Sequence, residues 1–542
     1  MRDLKYLLPV LLFFVMSCAS TKQFNKQITE PISPNKLIRD VNYVQRQIQK
    51  RQVDYDYYTS KAVIDNKFDS IRRAIHSPMT GREFYPLIAE ILASIHQGHL
   101  SVAPAIPKPD KERRKYLKKM GAPPLALFEY LWQNDKLLII NNFSKDTHIK
   151  KGDEIIAVNG LKTRDVYSKY KSTLTSDGYN ETGIPPFFTR KLLLFYTLEL
   201  GVQDSLRMEI TNGIDTLERL VMRQPKKAPQ TKQKIKKEPS PKQKTDSISH
   251  TKAIEKESKE STAQKKRRFK EVEKNKRIFG WNKTKKEFTR SLKFFGKDSS
   301  IAFLHIVRFM DGNYKKAYKQ IFNSIQKAGS KVLVLDLRNN PGGKALEIVA
   351  LFRYLSDSSF KMYAPTKVAS GTSLLRPGLF AQQPKFLWPV VAFVYPFYAA
   401  STLLTTYRGR DGFFYNDLMM SNKTKTPHKN AFKGKIYLLV NGASFSAACL
   451  LASRMSTLSK VTILGEETGG DYNGTVAGIM PLVTLPNSKI KVRLGLKHIK
   501  PVNQREEKGR GVYPNHIFIR TASDIVSGKD EALNWIINNE KE

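Results

Sequence analysis

The sequence is poor in cysteine, with only Cys18 and Cys449 among its 542 residues. Two cysteines cannot build a disulfide framework, and they cannot supply a cysteine-based zinc site. His96 and His99 lie three residues apart, but no third ligand follows at a supporting spacing. The sequence also lacks a phosphate-binding loop and an internal repeat. We therefore expect no metal and no cofactor.

Acidic residues are few beside basic ones, 49 against 92, which gives a formal net charge of +43. Much of the excess lies between residues 224 and 290, where Lys and Arg repeat among Gln, Ser, Pro and Glu without apolar periodicity. This composition predicts a basic disordered insert over 225–295. Such an insert either binds an anionic surface, such as lipid headgroups or cell-wall polymer, or is a solvated linker. No nucleic-acid recognition motif is present, so we expect no nucleic-acid partner.

The N-terminus has a short apolar run, Leu7 to Met16, behind the basic residues Arg2 and Lys5. This pattern is typical of an export signal, and the run is too short for a membrane span. The residues from Val15 to Cys18 resemble a bacterial lipoprotein signal, in which cleavage leaves Cys18 as the lipidated first residue. An ordinary signal peptide or a short anchor is the alternative. We expect a signal over 1–18, a polar tether over 19–35, and a lipoprotein of the bacterial cell envelope, facing the periplasm or anchored to the outer membrane.

The length of the chain predicts two or more domains, and the apolar patterns change along it. Residues 36–100 have helical spacing, which is strongest from Phe84 to Ile95 and should end at Gly98. Residues 123–224 are predicted to form short strands, with a hairpin signal at Asn159-Gly160. Strands and helices alternate over 296–540, which indicates an α/β core with parallel strand pairing.

The most informative feature is a pair of strand-then-turn segments about a hundred residues apart. The first runs from Val332 to Leu337 and continues into a turn that ends at Gly342-Gly343. The second runs from Ile436 to Val440 and continues through Ser444 and Ser446 into a helix. Such turns present free backbone N–H groups beside a hydroxyl, which acyl transfer through a serine requires.

The two segments have the sequences Leu-Asp-Leu-Arg-x-Asn-x-Gly-Gly and Ser-Phe-Ser-Ala-Ala. They resemble the two characteristic sequence motifs of the S41 peptidases. This family comprises the C-terminal-processing or tail-specific proteases and the tricorn protease. The resemblance covers residues 85–224 and 296–540. It implies an α/β protease core of the ClpP/crotonase-like kind, an inserted PDZ-like β domain over 123–224, and an N-terminal helical region. A plain β-hairpin is the alternative for the stretch from Lys151 to Gly160.

The resemblance assigns the nucleophile to Ser446 and the oxyanion donors to Gly342, Gly343 and Ala447. A serine hydroxyl needs a base to take its proton, and a helix N-terminus favours developing negative charge. The alternative is that Ser444 or Ser446 only caps the helix, since serine is a preferred cap.

The catalytic base must differ from that of the best-known family members, which use a lysine inside a Gly-Lys-Gly-Thr motif. Asn473 occupies that place here, and an amide cannot act as a base. The tricorn-like, non-lysine branch uses a histidine before the PDZ domain, and His99 matches it, with Gln97 in place of the branch's Asp. A histidine has a suitable pKa for this role, whereas a helix-end histidine bonded to carbonyls is the alternative.

The orienting group is open, because tricorn-like enzymes place a serine immediately before the histidine, where this chain has Gly98. Glu507 lies near the expected position of the acid, and Glu467 is a second candidate. Either carboxylate is otherwise structural. If His99 is structural, the base is to be sought among the lysines, with Lys344 and Lys460 first.

These features predict an exported, lipid-anchored serine endopeptidase whose partners are protein or peptide substrates held by the PDZ-like domain. A catalytically inactive pseudo-protease that binds peptides at the cell envelope is the second hypothesis, and a polymer-binding adhesion protein is the third. The segment from Phe386 to Leu404 is nearly all apolar but contains Pro389 and Pro396. We expect it to be buried core or a lid rather than a membrane span.

Overall fold

The computed structural model describes residues 21–225, 262–283, 286–296, 298–375, 383–417 and 423–540. Cys18, the predicted signal and residues 226–261 of the basic insert lie outside these ranges. The described part combines helices with several sheets, and the predicted α/β class is confirmed.

The N-terminal region is helical, as its apolar spacing predicts. It comprises α1 (Thr21–Thr29), α2 (Pro34–Arg51), α3 (Lys61–Ala74), α4 (Gly81–Ala93), the short strand β1 (Ser101–Ala103) and α5 (Lys111–Met120). The predicted tether over 19–35 is wrong in part, because α1 is a helix whose Ile28 is buried. A capping box between Thr80 and Glu83 begins α4, which ends at Ala93 and not at Gly98. The loop after α4 carries His99.

The next region is an antiparallel sheet covered by two helices. Its elements are β2 (Phe128–Gln133), β3 (Lys136–Asn142), β4 (Glu154–Val158), β5 (Leu161–Lys162), α6 (Thr163–Tyr170), α7 (Ile184–Leu200), β6 (Ser205–Thr211) and β7 (Thr216–Met222). The order is β2-β3-β4-β6-β7, with β5 paired to β4. Its apolar faces join the helical region in one hydrophobic core. We call residues 123–224 the β domain.

The prediction of disorder over 225–295 is wrong for the end of that range. Residues there form α8 (Thr262–Phe279), β8 (Trp281–Asn282), β9 (Glu287–Phe288) and β10 (Arg290–Phe295). Arg290 is buried, and its Nε donates to Glu347 Oε1 over 2.8 Å. A charged side chain tolerates burial when it is paired, so basic composition alone did not identify this segment as folded. The core therefore begins at Arg290 and not at residue 296.

The main sheet of the core has the order β10-β11-β12-β16-β17-β22. It comprises β11 (Ile301–Ile306), β12 (Val332–Asp336), β16 (Lys435–Val440), β17 (Val461–Gly465) and β22 (His516–Ile517), all mutually parallel, whereas β10 is antiparallel to β11. The helices around it are α9 (Tyr314–Ala328), α10 (Ala345–Phe352), α12 (Ala447–Met455), α13 (Ala522–Ser527) and α14 (Glu531–Asn539). Because parallel strands end at the same edge of a sheet, the turns after β12 and β16 lie side by side.

A second sheet has the order β14-β15-β13-β21-β18. Its strands are β13 (Lys367–Val368), β14 (Thr406–Arg408), β15 (Phe414–Asn416), β18 (Thr475–Ala477) and β21 (Lys497–Ile499). The remaining strands, β19 (Leu482–Thr484) and β20 (Lys491–Arg493), form an antiparallel hairpin, and β20 pairs with β1. Through this pairing the loop that carries His99 is attached to the core.

The apolar segment from Phe386 to Leu404 lies mostly in helix α11 (Trp388–Thr405). Only 6% of this helix is buried, so the prediction that it belongs to the core is wrong. Among the described residues it is the one helix that is long and apolar enough to cross a membrane by length and composition. One such helix is weak evidence of a span.

Candidate active site

The two predicted turns are joined by backbone hydrogen bonds. Leu337 N donates to Leu439 O over 2.9 Å, and Asn339 N donates to the side-chain oxygen of Asn441 over 2.9 Å. Phe445 N donates to Asn340 O over 3.0 Å. These bonds fix the glycine turn after β12 against the serine turn after β16. The structure thus brings together the two segments that the sequence singled out.

Ser446 occupies a strained backbone position at the junction of the serine turn with α12. Its φ of 55° and ψ of −120° are uncommon for a residue other than glycine. A serine on a sharp strand-to-helix turn has its hydroxyl presented outward, as in the nucleophile elbow of hydrolases. Strain of this kind is tolerated where a functional geometry requires it.

The capping alternative does not describe either serine in this structure. Ser446 precedes α12, but its side chain makes no capping hydrogen bond. The hydroxyl of Ser444 is fully buried and donates to Leu337 O over 2.8 Å, so it holds the two turns together. Ser444 is therefore structural, whereas the hydroxyl of Ser446 is available for chemistry.

The glycine turn lies against Ser446 with no space for a side chain. A Cβ on Gly342 would lie 2.7 Å from Ser446 Cβ and 2.8 Å from Ala447 N. Gly342 N donates to Asn340 Oδ1 over 2.9 Å, so this amide is already used. Among the described residues, the amides of Gly343 and Ala447 have no hydrogen-bond partner. Of the three predicted oxyanion donors, these two are available, and Gly342 contributes by having no Cβ.

We expect Gly342→Ala to lower kcat at least about a hundredfold, because the added methyl group pushes on Ser446 and displaces an oxyanion donor. The control is Gly329→Ala. Gly329 has a similar left-handed φ of +66°, against +94° for Gly342, but nothing lies within 4 Å of its added Cβ. Both variants should lose a little stability, and only Gly342→Ala should lose kcat in a peptide-hydrolysis assay. Equal kcat in the two variants would contradict the assignment.

His99 lies beside the serine turn. Its ring is stacked on Phe445, the residue before Ser446, with 4.8 Å between ring centroids. Burial, with a smaller contribution from the charge of Arg493, lowers the pKa of His99 to about 3. The imidazole is therefore neutral at ordinary pH and is able to accept a proton. No hydrogen bond joins His99 to Ser446 in the described part of the chain, and such bonds often tighten only when substrate is present.

A hydroxyl and a carboxyl lie behind His99, and the sequence did not reveal either. Thr475 Oγ1 is 3.1 Å from His99 Nδ1. Asp177 Oδ1 accepts a hydrogen bond of 2.8 Å from Gly98 N, the amide before His99. Burial raises the pKa of Asp177 to about 7, against the lowering effects of Gly98 N–H and the Thr475 hydroxyl. The second oxygen of Asp177 is buried without a hydrogen-bond partner.

One segment of the chain matches the model of a known protein family. Residues 300–518, which include Ser446 and the glycine turn, match the model of Peptidase family S41. The chain carries a peptidase S41 domain. This domain indicates a serine-type peptidase. No curated protein matches the chain significantly.

Solved structures extend the likeness beyond the S41 domain. Mature CPAF complexed with lactacystin is 15% identical, with a TM-score of 0.58, and the match covers 93% of this chain and 97% of that chain. A crystal structure of a CPAF mutant is 13% identical, with a TM-score of 0.59, and the match covers 92% and 96% of the two chains. At these identities the likeness shows the fold alone. The S41 protease fold thus includes the helical region and the β domain.

Where this sequence differs from the familiar S41 motifs, the structure shows what the differing residues do. A Cβ on Gly98 would lie 2.6 Å from the ring of Phe445, so a serine does not fit before His99 in this packing. Thr475 supplies a hydroxyl to the histidine instead. Gln97 is buried, and its Nε2 donates to Asp54 O over 2.6 Å. Asn473 donates to the carbonyls of Arg505 and Glu507 over 2.9 and 2.8 Å, so it holds a loop.

The structure gives no support to the remaining candidate residues. The carboxylate of Glu507 accepts from Tyr513 over 3.0 Å at the surface, and within the described chain it has no hydrogen bond to His99. Glu467 accepts from Gly511 N over 2.6 Å and pairs with Arg510, as a structural carboxylate does. Lys460 pairs with Asp357 over 2.8 Å and donates to Phe432 O. His96 packs against Tyr179 rather than against the serine turn.

Proposed function

We propose that the protein is an exported, lipid-anchored serine endopeptidase that hydrolyses protein substrates held by its β domain. The observation that carries the proposal is a strained, unpartnered Ser446 that has the glycine turn packed against it and a neutral, buried histidine stacked on the preceding Phe445. Each part has a role in acyl transfer, and the S41 domain is the family context in which these roles are expected.

In the proposed reaction, Ser446 Oγ attacks the carbonyl carbon of the scissile peptide bond. His99 Nε2 takes the hydroxyl proton and later gives it to the leaving amine. The amides of Gly343 and Ala447 bind the oxygen of the tetrahedral intermediate. Water, activated by the same histidine, then attacks the acyl group on Ser446 and releases the second product.

The proposed orienting group is Asp177, acting through Thr475. Thr475 Oγ1 lies 3.1 Å from His99 Nδ1, and the scheme places the proton on Nδ1, because the Thr475 hydroxyl hydrogen is directed to Asp177. This leaves Nε2 free to accept from Ser446. The Thr475 hydroxyl then directs its own hydrogen toward Asp177. An ionised Asp177 would favour the imidazolium that forms during the reaction, because burial otherwise disfavours this cation.

The proposed capture of substrate relies on the β domain. Its resemblance to a PDZ domain in sequence, together with a sheet that ends at β2 and β7, supports binding of a peptide as an added strand. Main-chain hydrogen bonds along such an edge would accept many sequences. This favours unfolded or extended protein segments as substrates.

A fluorophosphonate probe, which reacts with activated serines, tests the proposal. The wild-type protein and Ser444→Ala should be labelled, and peptide mass spectrometry should find the adduct on Ser446. Absence of both labelling and hydrolysis would favour the second candidate, an inactive peptide-binding protein.

The proposed anchor is a lipid on Cys18, in the cell envelope. We expect the mature protein to carry the mass of an acylated cysteine and to stay with membranes through an alkaline carbonate wash. Cys18→Ser should release the protein in that wash. An intact-mass spectrum of an unmodified chain cleaved at another residue would refute the lipoprotein signal. We also propose that the basic insert binds an anionic surface, such as lipid headgroups or cell-wall polymer.

A further inference from the structure

Helix α11 exposes an apolar surface that the peptidase site does not use. No charged residue occurs from Phe386 to Tyr407. The exposed fractions are large for such side chains: 77% for Phe386, 74% for Phe393, 68% for Phe397 and 87% for Leu404. Single exposed apolar residues are common, but a contiguous apolar patch of this kind marks an interaction surface.

Five of the exposed apolar residues of α11 form one stripe along the helix, whereas Trp388 and Leu403 lie off it. Val390, Phe393, Val394, Phe397 and Leu404 follow helical spacing, so they share a face. The opposite face contacts the protein, where the hydroxyls of Tyr395 and Tyr398 donate to the carbonyls of Leu375 and Leu374. Thr402 on that side is fully buried. We call Val390, Phe393, Val394, Phe397 and Leu404 the α11 stripe.

The attachment of α11 limits what its stripe can contact. The middle of the helix is bonded to Leu374 and Leu375, so one side of α11 is attached to the rest of the protein. Pro396 also interrupts its hydrogen bonding. A span across a bilayer would need the helix to detach, whereas a helix that lies flat in the interface needs only one apolar face.

The C-terminal end of α11 matches a membrane interface. Tyr407, just beyond that end, is exposed, and such aromatic residues favour the level of the lipid headgroups. Arg408 and Arg410 follow directly and are exposed, so they complement anionic headgroups. We propose that the α11 stripe inserts into the outer part of a lipid bilayer and holds the S41 domain flat against the membrane.

This contact is independent of both the lipid on Cys18 and the catalytic role of Ser446. The test therefore uses the chain from residue 18 onward with Cys18→Ser, so that neither the signal nor an acyl group contributes. Flotation with phosphatidylcholine vesicles, and with vesicles that also contain phosphatidylglycerol, measures the partition coefficient. In neutral vesicles the basic insert has no charge to bind, so the α11 stripe should dominate there.

We expect the protein to float with both vesicles, and more strongly with the anionic ones. Phe393→Ser/Phe397→Ser should lower the partition into neutral vesicles about tenfold or more, since two phenylalanine rings no longer leave water. The matched control is Ile214→Ser/Leu220→Ser, which removes two exposed apolar residues of the β domain. The control should float like the parent, and all three proteins should have similar melting temperatures.

Three results would overturn the proposal. The parent chain does not float with either vesicle, or the control loses as much partition as the α11 variant. The third is a parent chain that forms dimers without lipid in sedimentation analysis, with dimers that the α11 substitutions disperse and with no vesicle binding. That result would assign the α11 stripe to a second copy of the chain.

Discussion

Ser446→Ala and His99→Ala are each expected to lower kcat/KM by several powers of ten. In the proposed mechanism, Ser446→Ala removes the nucleophile and prevents the acyl intermediate, whereas His99→Ala removes the base and leaves the hydroxyl too weak to attack. Because the two groups act as one unit, the double variant should be hardly worse than either single variant. Steady-state hydrolysis of a peptide with a fluorogenic group measures all three rates.

Ser444→Ala and His96→Ala are the matched controls. Ser444 lies two residues from the nucleophile but bonds to Leu337 O, so its loss should reduce stability by roughly 1 kcal/mol and leave kcat nearly unchanged. His96 packs against Tyr179, and its variant should be mild. If His99→Ala keeps substantial activity, the histidine is structural. Lys344 is then the next base to test, because Lys460 is held by Asp357.

Local patterns were sufficient to predict the parts of the fold that depend on short-range order. The two predicted strands before the glycine turn and the serine turn are observed as Val332–Asp336 and Lys435–Val440, and the helix after Ser446 begins at the predicted place. Buried strands are short apolar runs, and a serine turn after such a run is visible without knowledge of the partner strands. Gly342 was predicted as an oxyanion donor, but its amide donates to Asn340, and the sequence did not reveal this bond.

Sequence patterns were misleading where the burial of a side chain depends on residues that are distant in the sequence. Arg290 lies in a sequence of disordered composition, yet Glu347, 57 residues away, makes its burial acceptable. The apolar residues of α11 suggested a core helix, whereas tertiary packing leaves them outside. Asp177 and Thr475 carry no motif of their own. Only the fold brings Thr475 to His99, across 376 residues of chain.

Asp177→Asn should lower kcat/KM by about a hundred- to ten-thousandfold, because the amide cannot stabilise the imidazolium. It should also change the pH profile. His99, with a pKa lowered to about 3 by burial, is neutral throughout the working range. The wild-type rate should therefore rise with pH through about 7, as Asp177 ionises. The Asp177→Asn profile should lack this limb. If the limb persists in Asp177→Asn, it belongs to another group.

Thr475 transmits the effect in this scheme, so it should behave as a positioning residue. Thr475→Val keeps the shape but removes the hydroxyl, and it should lose both activity and the limb near pH 7. Thr475→Ser restores a hydroxyl and should recover much of the rate. A merely structural threonine would give the opposite ranking, since valine fills the space better than serine does.

Asp177→Asn should make the protein more stable while it removes activity. Burial raises the pKa of Asp177 from 3.8 to about 7, so the folded state holds a proton that the unfolded state releases. The stability from this group is complete below pH 4 and is lost as pH rises to about 7. The asparagine side chain of the variant has no charge to bury and keeps an oxygen for Gly98 N–H. The gain in free energy of unfolding over wild type should thus grow between pH 4 and 7, to at most on the order of 4 kcal/mol.

Denaturant unfolding of both proteins at pH 4 and pH 8 measures this difference in stability. A variant that is less stable than wild type at pH 8 would show that Asp177 is an ordinary structural carboxylate, whereas greater stability with lost catalysis is what a group retained for chemistry predicts.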